Sequence, residues 1–178
     1  VAASTHADEE VMVSNAHTKI LSRIPDLLTV IVPRHPERAI KIGAELVRRG
    51  HQCVRRSTGR KLEIGTKIYI ADTLGELGLF YRLARIAFIG GSTGRNGGHN
   101  PLEAAQLGCA ITYGPDMENF QSVADALMEH KGAVTVHGSQ ELAQIVGQML
   151  ENHEVRCERA EAAKKVAKEN SDVIDRVC

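Results

Sequence analysis

Short apolar runs alternate with amphipathic stretches along this chain, and that alternation limits the fold more than any other feature. The runs at residues 27–32 and 86–89 are apolar except for Thr29 and are rich in β-branched or aromatic side chains. Runs of this kind form strands that are covered on both faces of a sheet. Helical patterns separate the runs, at 7–23, 36–49, 77–83, 121–130 and 139–151. The sequence therefore predicts a three-layer α/β fold, with helices on both faces of a mostly parallel sheet.

Two of the predicted helices carry specific expectations. Within the helix predicted over 36–49, we expect Ile40, Ala44 and Val47 to face the sheet, because they recur at helical spacing. We expect Ser139 to cap the helix that ends near residue 151, because a serine oxygen readily accepts a bond from a free helical N–H group. A last charged, alanine-rich helix is predicted at about 154–170.

Several unusual loops follow the predicted strands. They lie at residues 4–6, 33–36, 72–76, 90–103 and 114–120. The carboxyl ends of parallel strands meet at one edge of a sheet, and ligands of such sheets bind beyond that edge. The convergence of these loops predicts a binding site there.

The glycine-rich loop, residues 90–103, is the strongest candidate among them. Five of its first nine residues are glycines, which let a ligand approach the backbone closely. We expect a helix to begin near Asn100, with Pro101 in its first turn, and its N–H groups to face an anion. Glu103 would lie one turn into that helix, where a carboxylate can accept hydrogen bonds from a ribose diol. The alternative is a flexible surface loop without a ligand.

Two further loops carry polar candidates. Arg34 and His35 follow a buried strand between two prolines, and the guanidinium of Arg34 suits a phosphate or a carboxylate. The alternative for Arg34 is an ordinary ion pair with Glu37. In the loop at 72–76, Thr73 and Glu76 could form a capping box for the next helix. Nearby N–H groups could bind an anion at the same time, so the two possibilities do not exclude each other.

Composition and spacing argue against several other functions. Lys and Arg together number 22, as do Asp and Glu, and aromatic residues make up only 3%, so a nucleic-acid-binding surface is not expected. The four cysteines form no CxxC pair, and no third ligand accompanies the His99 and Glu103 spacing, so we expect neither a metal nor another cofactor. No Ser/His/Asp or Cys/His arrangement can be assigned. The catalytic group is therefore expected outside this chain.

Four motifs, in this order, resemble the C-terminal half of bacterial Kdo transferases, where Kdo is 3-deoxy-D-manno-octulosonic acid. They are Ser4-Thr5-His6-x-x-Glu9-Glu10; Pro33-Arg34-His35-Pro36-Glu37-Arg38; Asp72-Thr73-x-Gly75-Glu76-Leu77; and Gly90-Gly91-Ser92 through Gly97-Gly98-His99-Asn100-Pro101-Leu102-Glu103. The resemblance implies that residues 1–178 form one Rossmann-like nucleotide-sugar-binding domain. That domain would be the C-terminal half of a GT-B glycosyltransferase.

The resemblance also implies partners and a location. The donor would be CMP-Kdo, and a lipid A precursor would be the acceptor, bound by an N-terminal domain that supplies the catalytic base. The chain begins at Val1 without such a domain, so we expect a soluble fragment that binds the donor but transfers nothing. The helix at about 154–170 would pack back toward the N-terminal domain. The full-length protein would act at the cytoplasmic side of the inner membrane, although no run here is long and apolar enough to cross one.

The resemblance assigns the donor site to residues of three loops. These are Pro33, Arg34, His35, Leu74, Gly75, Glu76, Gly91, Ser92, Gly98, His99, Asn100, Pro101, Leu102 and Glu103, with Thr5 and His6 as additional candidate contacts. Two alternatives remain open at this point. One is a GT-B domain that uses a UDP-sugar, and the other is a nucleotide-binding module without catalysis.

Overall fold

A seven-stranded parallel sheet forms the centre of the computed structural model, which describes the backbone of residues 1–177 and the side chains of residues 1–170. The strands are β1 (Ala2–Thr5), β2 (Thr29–Pro33), β3 (Cys53–Arg55), β4 (Ile68–Ile70), β5 (Ile86–Ile89), β6 (Ala110–Tyr113) and β7 (Ala133–Thr135). Their spatial order is β3-β4-β2-β1-β5-β6-β7, and every neighbouring pair is parallel. The predicted fold is confirmed.

In residues 1–177, seven α-helices connect and cover the strands. They are α1 (Ala7–Leu21), α2 (Ala39–Arg48), α3 (Leu77–Ala84), α4 (Leu102–Gln106), α5 (Gln121–Glu129), α6 (Ser139–Glu151) and α7 (His153–Val177). No helix in the described part of the chain is both long and apolar enough to cross a membrane.

The core consists of one hydrophobic layer on each face of the sheet. Strand residues alternate between the layers, so Ala2 and Phe88 contact the side of α1, α2 and α6, while Ala3 and Ile89 contact the opposite side. Helices α3, α4, α5 and α7 cover that opposite side. The last of these, α7, packs on this core through Ala163, Val166 and Ala167.

Two local predictions about helices are wrong. Helix α2 buries Ala39, Ile42 and Leu46, whereas the predicted residues Ile40 and Val47 are exposed and Ala44 does not belong to the core. The sequence of α2 carries two apolar stripes, and the period of 3.6 residues alone does not decide which one meets the sheet. Ser139 is the first residue of α6, and Gly138 is the cap residue, so the serine does not cap the helix.

The position of β1 at the middle of the sheet brings the loops after β1 and β5 into contact. The N–H of Gly90 donates to the carbonyl of Ala3 at 2.8 Å. A Cβ at position 90 would lie only 2.5 Å from the carbonyl oxygen of Ser4, so no larger residue fits at this crossing. The close approach fixes the start of the glycine-rich loop beside His6.

Candidate functional site

Three histidine side chains meet at the carboxyl edge of the sheet, one from each of the loops after β1, β2 and β5. The Nε2 atoms of His6 and His99 lie 3.1 Å apart, and the two rings are stacked. The ring of His35 meets that of His6 edge-on, with 6.1 Å between the ring centroids. The structure thus brings together three of the predicted site residues that are far apart in sequence.

Cationic and imidazole groups face one another in this cluster. The pKa of His99 is lowered, first by burial and then by repulsion from His6 and Arg34. Such repulsion is relieved when an anion binds between the cationic groups. The cluster of Arg34, His6, His35 and His99 is therefore suited to an anionic ligand.

Glu9 holds the glycine-rich loop in place, a role that sequence reasoning missed. Its carboxylate is only 2% exposed and accepts bonds from the N–H groups of Gly91 (2.8 Å), Ser92 (2.9 Å) and Thr93 (3.2 Å). It also accepts bonds from the hydroxyl of Thr93 (3.2 Å) and from the N–H of His6 (3.0 Å). The motif Ser4-Thr5-His6-x-x-Glu9-Glu10 was the one signal that pointed to this residue.

The expectation that the first glycines of the loop cradle an external anion is therefore wrong. The N–H of Gly90 donates to the carbonyl of Ala3, and the N–H groups of Gly91 and Ser92 donate to the carboxylate of Glu9. The phosphate was expected farther along, at the helix end near Asn100. Ser92 is 0% exposed; its hydroxyl donates to the carbonyl of Ile89 (2.6 Å) and accepts from the N–H of Gly114 (2.7 Å). Gly91, Gly98 and Pro101 are also buried, so these residues shape the loop.

The helix after the loop also begins later than predicted. Helix α4 starts at Leu102, and Pro101 occupies the cap position. The side-chain oxygen of Asn100 accepts a bond from the N–H of Leu102 at 2.9 Å. Asn100 therefore satisfies one of the N–H groups that we expected a phosphate to occupy. The side chain of Glu103 remains exposed.

The far side of the glycine-rich loop is fixed by the loop after β6. The N–H of Gly97 donates to Asp116 Oδ2 at 2.9 Å, and the side-chain amide of Asn119 donates to the carbonyl of Asn96 at 2.9 Å. Gly98 has a φ of +73°, and a Cβ there would lie 2.5 Å from Met117 Sδ. The loop is thus a packed structure, which makes the flexible alternative untenable for its buried part.

The loop after β4 has a different construction. Glu76 pairs with the guanidinium of Arg56 and accepts a bond from the hydroxyl of Thr73, which together lower the pKa of Glu76 to about 2. Glu76 is itself the cap residue of α3, so the predicted capping box of Thr73 and Glu76 is wrong. Leu74 and Gly75, between them, are exposed.

The loop after β2 leaves Arg34 accessible. Its N–H donates to the carbonyl of Thr5 at 3.0 Å, which ties the loop to β1. The neighbouring His35, rather than Arg34, pairs with Glu37, at 3.6 Å. The guanidinium of Arg34 makes no ion pair with any residue whose side chain is described, so the alternative of a pair with Glu37 is wrong. Thr5 is buried, and its hydroxyl donates to Glu10 at 3.2 Å.

An open groove of about 300 Å³ adjoins the histidine cluster. It is lined by His6, Ala7, Asp8, Glu9, His35, Arg38, Thr93, Gly94 and Asn96. Arg38 is held at its edge by two bonds to the carboxylate of Glu10, at 3.0 and 2.7 Å. Among residues 1–170, no group of three or more His, Cys, Asp or Glu side chains is arranged to hold a metal ion.

Curated relatives match almost the whole chain. The 3-deoxy-D-manno-octulosonic acid transferase of Haemophilus influenzae is 34% identical over 178 residues, which cover 99% of this chain and 42% of that protein. The probable mitochondrial 3-deoxy-D-manno-octulosonic acid transferase of Arabidopsis thaliana is 36% identical and covers 98% of this chain and 40% of that protein. The chain thus spans about two fifths of the length of these relatives. No protein-family model matches it.

Solved structures match the fold. The C-terminal CMP-Kdo binding domain of WaaA from Acinetobacter baumannii superposes with a TM-score of 0.87 at 33% identity, covering 93% of this chain and 86% of that one. The C-terminal domain of a group 1 glycosyl transferase, LpcC, from Francisella tularensis gives a TM-score of 0.63 at 15% identity, covering 90% of this chain and 77% of that one. The second likeness concerns the fold alone.

Proposed function

Because this chain belongs to the 3-deoxy-D-manno-octulosonic acid transferase family, we propose that it is the donor-binding domain of a glycosyltransferase that uses CMP-Kdo. In the complete enzyme the acceptor is a lipid A precursor held by an N-terminal domain, and the reaction takes place at the cytoplasmic face of the inner membrane. The chain's Rossmann-like fold is the half of a GT-B enzyme that holds the sugar nucleotide.

One observation carries the proposal: Arg34 and the imidazoles of His6, His35 and His99 converge on the open carboxyl edge of the sheet. CMP-Kdo carries one phosphate and one sugar carboxylate, so it brings two anionic groups to these cationic and polar ones. A guanidinium can bind either group with two parallel hydrogen bonds. No metal is needed to balance these charges.

The acidic residues near the cluster differ in their availability. Glu9 and Glu10 are buried, with Glu9 bonded to backbone N–H groups of the loop and Glu10 paired with Arg38, so neither carboxylate is available to bind the donor. Glu103 is exposed, and we assign it to the ribose hydroxyls, which can donate hydrogen bonds to a carboxylate. The exposed backbone of Leu74 and Gly75 would lie against the nucleotide from the other side.

The proposed chemistry needs one group from outside this chain. An acceptor hydroxyl attacks the anomeric carbon of Kdo, and CMP leaves with the bonding electron pair. The base that takes the hydroxyl proton comes from the N-terminal domain. Arg34 stabilises the charge that develops on the departing phosphate, because a fixed cation favours the transition state over the ground state there.

Calorimetric titration of the chain with CMP, UMP and AMP tests the proposal. We expect CMP to bind more tightly than either of the others. A preference for UMP would instead support a GT-B domain that uses a UDP-sugar. Absence of binding by all three nucleotides would contradict a donor site on this chain.

A further inference from the structure

Helix α2 presents an unpartnered apolar stripe to solvent. Ile40 is 67% exposed and Val47 62% exposed, although both are large aliphatic residues. They lie seven residues apart, with Ala44 between them, and therefore share one face of the helix. The opposite face of α2 already supplies the core through Ile42 and Leu46.

The stripe continues across the edge of the sheet. Strand β3 is an edge strand that pairs only with β4. An open groove of about 520 Å³ runs between α2 and β3, and it is lined by Ile40, Gly43, Ala44, Val47, Cys53, Val54, Arg55, Thr58 and Arg60. The chain then continues through Leu62 and Ile64, two more aliphatic side chains that are exposed. We call α2, β3 and residues 56–64 the edge face.

Positive charge is concentrated on the same segment. Residues 38–64, which include the edge face, contain eight lysines and arginines against two acidic residues, Glu45 and Glu63, although the whole chain has 22 of each sign. Arg38, Arg55 and Arg56 each pair with a carboxylate from another part of the chain.

Several of these cations lack a carboxylate of their own. Arg48 and Arg49 share the single carboxylate of Glu45. Lys41, Arg60 and Lys61 form no ion pair with any residue whose side chain is described. The edge face is therefore both apolar and cationic.

We propose that the edge face lies against the surface of an anionic lipid bilayer. Exposed aliphatic side chains flanked by lysines and arginines are the combination that binds such surfaces, because the apolar groups enter the headgroup region while the cations contact anionic lipids. A second copy of the chain fits poorly, since a symmetric contact would bring like charges together. This inference concerns a different surface from the donor site and does not depend on the nucleotide that the chain binds.

Sedimentation of the 178-residue chain with lipid vesicles tests this inference. We expect the chain to pellet with vesicles of phosphatidylcholine containing about 30% phosphatidylglycerol, and to remain in solution with phosphatidylcholine alone. The double variant Arg60→Glu/Lys61→Glu should lower the partition coefficient by roughly tenfold or more, because each cation near an anionic surface adds to binding. The variant Ile40→Ser/Val47→Ser should also weaken it, and both should retain the nucleotide affinity of the unmodified chain.

The matched control variants change exposed residues on other faces of the molecule. Lys164→Glu/Lys165→Glu makes the same charge change on α7, and Leu83→Ser removes an exposed aliphatic side chain from α3. Neither control should change vesicle binding. Equal loss in the controls, equal binding to neutral vesicles, or pelleting without any vesicles would each overturn the proposal, the last by indicating self-association.

Discussion

Two glutamates on the same edge of the sheet are used in opposite ways. Glu9 is buried and bonded almost entirely to backbone N–H groups of the glycine-rich loop. Glu76 is partly exposed and bonded to the side chains of Arg56 and Thr73. A carboxylate held by backbone groups in the interior is fixed, whereas one held by side chains near solvent can exchange partners. The β5 side of the site is thus preassembled, and the β4 side is adjustable.

The glycines of the two loops differ in the same way. Gly98 and Gly75 both have positive φ, +73° and +81°. Atoms of Met117 and Asp116 surround the place where a Cβ of residue 98 would lie, while nothing lies within 4 Å of that place at residue 75. The loop after β5 is therefore closed by packing, and the loop after β4 is open.

Removal of the Glu9 charge should have the largest effect on stability. We expect Glu9→Gln to lower the free energy of unfolding by about 3 kcal/mol, because an amide oxygen replaces two carboxylate oxygens that accept several buried bonds. Chemical denaturation of the variant measures this. The control is Asp8→Asn, a change at the exposed neighbour. Its free energy of unfolding should stay close to that of the unmodified chain. Equal stability of all three proteins would mean that the loop does not depend on Glu9.

Alanine substitutions at the two glycines separate packing from backbone strain. Both variants should lose about 1 kcal/mol because an L-residue is disfavoured at positive φ. Gly98→Ala should lose roughly 2 kcal/mol more than Gly75→Ala, since its methyl group meets protein atoms at short distance. The difference in thermal unfolding midpoints measures this second contribution. If the two variants were equally stable, the distinction between a closed and an open loop would fail.

The charge pair of Glu76 should give a smaller, pH-dependent effect. The pKa of Glu76 is lowered from 4.5 to about 2, chiefly by hydrogen bonds from Arg56 and then Thr73. A lowered pKa in the folded state means that the contribution is complete above pH 4.5 and is lost as the pH falls toward 2. We therefore expect the stability difference between the unmodified chain and Glu76→Gln to be constant near neutral pH and to vanish on acidification. A difference that does not change with pH would contradict the pairing.

The sequence predicted the layers of the fold and the loops at the carboxyl edge of the sheet. It did not predict which side chains of the chain hold those loops in place. Strand positions followed from local apolar runs, and parallel pairing then determined which loops meet at one edge. The partners of Glu9 lie 82 to 84 residues away, so their contact depends on the crossing of β1 and β5, which no local pattern reveals. Arg56 and Glu76 likewise meet only after folding.

Helix α2 also shows what the sequence alone could not predict, namely which of its apolar faces is buried. Its sequence supports two apolar faces, at 39, 42 and 46 or at 40, 44 and 47, and both have helical spacing. Packing on the sheet selected the first and left the second exposed. Periodicity indicates that a face exists, whereas the tertiary structure decides which face is buried.

The most direct test of the central claim, that the donor binds beside Arg34, is the CMP affinity of the Arg34→Ala and Glu103→Ala variants. Calorimetric titration should show each variant binding CMP about 1–3 kcal/mol more weakly, because each loses a charged hydrogen bond. Arg23→Ala, at the opposite edge of the sheet, is the control and should bind CMP as the unmodified chain does. If both site variants bound CMP with unchanged affinity, the donor site would not lie on this edge.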